Sequence, residues 1–193
     1  MSFQPEIHIT GDAQADALLS SDPFALLVGM LLDQQVTMET AFAGPLKLRN
    51  RIGRFDVATI AGMPADDLLA VFKISPAVHR FPGSMAERVQ TLARAILTDY
   101  DGEAAAIWTA GEPDGAEVLR RLKALPGFGE QKAKIFLALL GKQYGLTATG
   151  WREAAGEYGV EGSRRSVADI TSPETLAEVR AHKQAMKAAA KAR

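Results

Sequence analysis

Apolar residues recur along this chain at three- and four-residue intervals, the period of helices with one buried face. Phe24, Leu27, Leu31 and Leu32 follow Ser21-Asp22-Pro23, a capping residue with proline in the first turn, so a helix is predicted to start there. Thr37 to Arg51 repeats the pattern through Ala41, Leu46 and Leu48 and stops at Gly53. Gly44-Pro45 interrupts it, so a kink or break is expected at that point. Met63 to Asp67 opens a short helix that ends near Phe72, and a longer one runs from Met85 to Thr98 with Val89, Leu92, Ala93 and Ile96 on one face. Asp114 to Leu125 is amphipathic, and Glu130 to Gln143 forms a second apolar helix behind Gly127-Phe128-Gly129. A short helix is predicted over Arg152 to Glu157, and a last one opens at Thr171-Ser172-Pro173-Glu174. No alternating segment of strand length and no internal repeat interrupts this series. The fold class is all-α.

Composition narrows the chemistry. Of the 193 residues 47% are hydrophobic and 23% charged, ordinary values for a globular protein with its own core. The chain has no cysteine, which excludes disulfides, thiolate-bound zinc and iron–sulfur clusters. His8, His79 and His182 stand far apart, without metal-ligand spacing. The longest apolar run, Phe24 to Leu32, is too short for a bilayer, and no basic leader precedes it, so a soluble cytoplasmic protein without a membrane partner is expected. Net charge is -1, but its distribution is uneven. Before Lys47 there are only acids (Glu6, Asp12, Asp16, Asp22, Asp33, Glu39), and after Glu178 only bases (Arg180, Lys183, Lys187, Lys191, Arg193). A basic tail of this kind suits either a solvated helix end or a phosphate backbone.

The most specific segment is Leu122-Lys123-Ala124-Leu125-Pro126-Gly127-Phe128-Gly129-Glu130-Gln131-Lys132-Ala133-Lys134-Ile135. Two helices meet at a glycine-flanked turn, where glycine permits positive φ and close backbone approach. Phe128 is placed to pin the helices together from inside. The second helix then directs its unpaired N–H groups and the positive end of its dipole outward, a ready anion site, with Lys132 and Lys134 beside it. An alanine at Gly127 or Gly129 is expected to disturb this turn and not the core.

This segment resembles the hairpin of the helix-hairpin-helix base-excision DNA glycosylases, the superfamily of endonuclease III and 3-methyladenine DNA glycosylase II. Met30-Leu31-Leu32-Asp33-Gln34-Gln35-Val36 resembles the same family's early helix and turn, and the likeness extends from about Pro23 to Trp151. It implies two helical lobes: one over 30–143 that contains the hairpin (114–143), the other built from 1–29 and 144–193. It also implies double-stranded, damaged DNA as partner; the chain is taken to act as a monomer. Gln34, Gln35, Gly127, Phe128, Gly129, Gln131, Lys132 and Lys134 become the DNA-contacting candidates, with Gln35 filling the gap left by a flipped base and Trp151 offered for stacking. The family's hairpin can hold a monovalent cation on backbone carbonyls, here those of Leu125 and Gly127. No other cofactor is implied.

Two departures bear on activity. Members that cleave the strand carry a nucleophilic lysine where this chain has Gln131, which cannot form a Schiff base. Lys132 is rotated by about 100° and points elsewhere. The family's carboxylate after the hairpin falls within Leu146-Thr147-Ala148-Thr149-Gly150-Trp151-Arg152, which has no acid; Thr149 is a candidate helix cap. Glu153 and Asp33 are the candidate replacements. The readings left open are a monofunctional glycosylase that hydrolyses the N-glycosidic bond, and a non-catalytic DNA-binding protein on the same fold. A third, a helical protein whose hairpin takes a protein partner, predicts no affinity for DNA.

Overall fold

The structure, a computed structural model, describes residues 2–193. Eleven α-helices occur among them and no strand: α1 (Ala13–Ser21), α2 (Pro23–Leu32), α3 (Met38–Ile52), α4 (Val57–Gly62), α5 (Ala65–Lys73), α6 (Pro82–Tyr100), α7 (Ala106–Thr109), α8 (Gly115–Lys123), α9 (Glu130–Gln143), α10 (Trp151–Ala155) and α11 (Pro173–Lys191). Tight 3₁₀ turns cover Gly156–Gly159 and Val167–Asp169. Local chemistry sets the boundaries. Asp22 accepts the Phe24 amide at the start of α2, Thr37 accepts that of Thr40 at the start of α3, and Gly53 closes α3 with φ 91°. Ser172 caps α11, with proline in the first turn.

The expected break at Gly44-Pro45 does not occur: α3 is one helix from Met38 to Ile52. Gly44 is there for contact, since a Cβ on it would lie 2.6 Å from Leu32 Cδ1. The bare glycine lets α3 close on α2, and that packing outweighs the hydrogen bond proline cannot donate.

The helix α2 is the hydrophobic centre, with every residue from Phe24 to Leu32 buried. It packs on α3, while α4 and α5 pack on α6. The helix α9 packs on α8, α10 and the Val167–Asp169 turn. Two groups result, α1–α6 and α7–α11. In this grouping α1 and α2 join α3, and the chain passes from one group to the other between Tyr100 and Ala106. Asp169 fastens the loop before α11 to α9: its carboxylate takes the Lys142 ammonium, the Ser163 hydroxyl (2.9 Å) and the Arg165 amide (2.8 Å). Those partners compensate a charge that would otherwise be costly to bury.

No single helix among the described residues is long and apolar enough to cross a membrane.

Candidate functional site

The hairpin is built from α8, the turn Ala124–Gly129 and α9. Phe128 is buried and stands edge-on to Phe136, 6.0 Å between centroids, so it does pin the second helix from inside. The two glycines differ. Gly127 has φ 82°, and a Cβ on it would lie 2.3 Å from Leu31 Cδ1. It therefore holds the turn against the end of α2, and its replacement presses on the junction of the two helix groups. This corrects the expectation that only the turn would be disturbed. Gly129 has φ −72°, with nothing within 4 Å of its missing Cβ. Its contribution is an open space over the start of α9, where among the described residues no side chain caps the helix. The first amides of α9 are thus left without a side-chain partner, an arrangement able to take an anion. Lys134 and Lys123 flank it, each sharing Glu130 Oε1 (3.6 and 3.7 Å). Of the carbonyls expected to hold a cation, that of Leu125 accepts the Phe128 amide at 3.2 Å, which leaves one of its lone pairs; the other belongs to Gly127 in the same turn.

The turn after α2 faces the hairpin. Gln34 is held at both ends of its amide: Nε2 donates to the Leu31 carbonyl (2.9 Å) and Oε1 accepts from Arg88 (2.9 Å). Buried His79 accepts the Phe81 amide at Nδ1, so its Nε2 carries the proton and is shared by the carbonyls of Leu32 and Gln34 (3.1 and 2.9 Å). With that turn braced, Gln35 is exposed in a left-handed conformation, φ 58°.

Lys132 reaches across from α9 and donates to the Leu31 carbonyl at 3.1 Å. Burial lowers its pKa to about 8; the negative charge of Asp33 works against that, and Arg88 and Lys183 reinforce it. Asp33 has only 8% of its side chain exposed, with the Lys183 ammonium 3.7 Å away. Burial raises its pKa above the ordinary 3.8, Lys183 and Lys132 pull it back, and Glu39 adds to the rise. Asp33, Lys132 and Lys183 thus form one cluster drawn from the α2–α3 turn, the start of α9 and the face of α11.

Beside this cluster α11 roofs a cleft of about 840 Å³, large enough for a nucleobase. Its lining includes Gln35, Glu39, Arg80, Arg180, Lys183 and Lys187.

Glu153 is elsewhere. It is exposed on α10, two residues beyond Trp151, whose ring covers Gly141. Gly141 lies ten positions past Gln131, about 15 Å along α9 at 1.5 Å per residue. Trp151 is engaged there, with the Arg152 guanidinium 4.5 Å over its ring, and is not at the cleft. Nor does Thr149 cap α10. Gly150 occupies that position, and the Thr149 carbonyl accepts the Gly115 amide at 2.7 Å. Gln131 donates to the Tyr158 hydroxyl at 3.0 Å. The sequence reading missed Glu39, Arg80 and Lys183 as members of one cleft. The basic run from Arg180 was visible, but not the surface it covers.

A family model described as HhH-GPD superfamily base excision DNA repair protein matches residues 28–191. The chain belongs to that superfamily. Among curated proteins none matches it. Membership in the HhH-GPD superfamily makes DNA the partner and base excision repair the process. Lacking cysteine, this HhH-GPD protein cannot hold an iron–sulfur cluster.

Proposed function

We propose that this HhH-GPD protein is a monofunctional DNA glycosylase: it hydrolyses the N-glycosidic bond of a damaged base in duplex DNA and leaves the strand uncut. The observation that carries this reading is Asp33, a buried carboxylate flanked by Lys132 and Lys183 beside a nucleobase-sized cleft. The hairpin grips a phosphate at the open start of α9. The flipped nucleotide brings its sugar toward Asp33, whose negative charge stabilises the oxocarbenium-like transition state and orients water. The water oxygen bonds to C1′ as the C1′–N bond breaks and its electron pair stays on the base. The proton released by water passes through Asp33 to the departing base. A carboxyl raised above its ordinary pKa is suited to taking and returning that proton. Gln131, held to Tyr158, offers no amine for a covalent intermediate.

The absence of an acid at Thr149 favours a second reading, DNA binding without catalysis. Duplexes carrying single lesions, incubated with the protein and then treated with alkali, separate the two. Alkali-dependent cleavage that disappears in Asp33→Asn supports the glycosylase. Binding without base release from any lesion leaves the DNA-binding protein, and undiminished release by Asp33→Asn removes Asp33 from the mechanism.

A further inference from the structure

Glu39 stands out in the cleft. Both of its carboxylate oxygens are buried and neither has a hydrogen-bond partner among the described residues. Arg180 Nη2 stands 2.9 Å from Oε2, close enough to balance the charge but off the direction of a hydrogen bond. Both oxygens are covered in this arrangement, so a base N–H reaches them where the half-exposed Arg180 side chain swings aside, and an acceptor held without a donor rewards the ligand that supplies one. Around it the cleft presents donors: Arg180 and, one turn later on α11, Lys183 and Gln184, with Arg80 and Gln35 also in the lining.

The lining carries one carboxylate against five cationic side chains, and no aromatic ring among the described residues. An alkylated base with a fixed positive charge would meet repulsion there and find no π face to rest on. A base with a carbonyl beside a ring N–H meets the opposite situation. Its N–H has an acceptor, its carbonyls have donors, and the anion it becomes on leaving is stabilised by the surrounding cations.

Resting on the glycosylase reading above, we propose that the cleft selects lactam and imide bases, the class of uracil and hypoxanthine, with Glu39 as the acceptor for the ring N–H. The test compares release from duplexes containing uracil, hypoxanthine or 3-methyladenine by the whole protein and by Glu39→Gln. Release from the first two in preference to 3-methyladenine, which is cationic and has no carbonyl, is expected, with a loss of roughly tenfold or more in Glu39→Gln. Affinity for undamaged duplex should stay within about twofold, because Glu39 touches no phosphate in this scheme. Preferential release of 3-methyladenine overturns the substrate class while upholding the glycosylase. Wild-type rates in a folded Glu39→Gln remove Glu39 as the selecting group. Binding with no release from any of the three overturns the glycosylase reading and this inference with it.

Discussion

Gly127 and Gly129 are two residues apart and do different physical work. At Gly127 an added methyl meets both a positive φ and Leu31, so Gly127→Ala should lower stability by about 2 kcal/mol or more, read as a drop in Tm. At Gly129 the backbone suits any residue and the space is free, so Gly129→Ala should melt as the parent does. The new methyl would stand where the phosphate approaches the α9 amides, and DNA affinity should fall severalfold. A Gly129→Ala protein that binds DNA at full strength would remove the phosphate grip from this turn. Gln35 poses the converse case. Its left-handed backbone is strained for a side chain. Gln35→Gly should therefore be stable to within about 1 kcal/mol of the parent while losing affinity for lesion-containing duplex. Equal affinity on such a duplex would show that the amide fills no gap.

Among the elements, those with a capping residue at the start (α2, α3, α8 and α11) or a long periodic face (α6 and α9) were legible in the sequence. The helices α4 and α7 were not, because they are short and form on the surfaces that the longer helices provide, and α1 was missed although Asp12 caps it. The hairpin was legible because its glycines, Phe128 and the following helix lie in one run of sequence. The Asp33 cluster was only half legible. Helix phase showed that Lys132 does not point with Gln131, but what it meets, the Leu31 carbonyl 101 residues away, depends on how α9 docks on α2. Glu39 was hidden for the same reason: its significance comes from α11 lying over it. That helix carries its own prediction. Lys187 and Lys191 lie four positions apart on the same face and reach the cleft. If they follow the backbone of bound DNA, replacing both with glutamine should lower the slope of log affinity against log salt by about 2. A slope equal to the parent's would make this end of α11 a solvated surface.

For the molecule as a whole, the decisive feature is that its two helix groups meet around charged groups. Leu31 is the joint: its side chain lies under Gly127, and its carbonyl takes both Gln34 and Lys132. Placing an ammonium there has a cost, expressed in the Lys132 pKa of about 8 against an ordinary 10.5. Below pH 8 the lysine is protonated whether the chain is folded or not, and the cost of burying the charge is borne in full. Between 8 and 10.5 the folded protein releases the proton while the unfolded chain keeps it. The unfolded state then binds more protons, so this residue's contribution makes stability rise with pH. Above 10.5 the contribution levels off. Replacing Lys132 with methionine keeps the bulk and removes the charge, so the difference between parent and variant isolates this one group. The variant should lose the parent's relative gain across that window, on the order of 1–2 kcal/mol once relaxation and water near the ammonium are allowed for. Denaturant melts of both proteins at intervals from pH 7 to 11 provide the measurement. Parallel curves would mean that Lys132 is solvated, and that the meeting of the two helix groups is looser than the contact with Leu31 implies. A variant that is also more stable at pH 7 would mean that the lysine is kept at the joint for its action on Asp33 and DNA, at some expense to the fold.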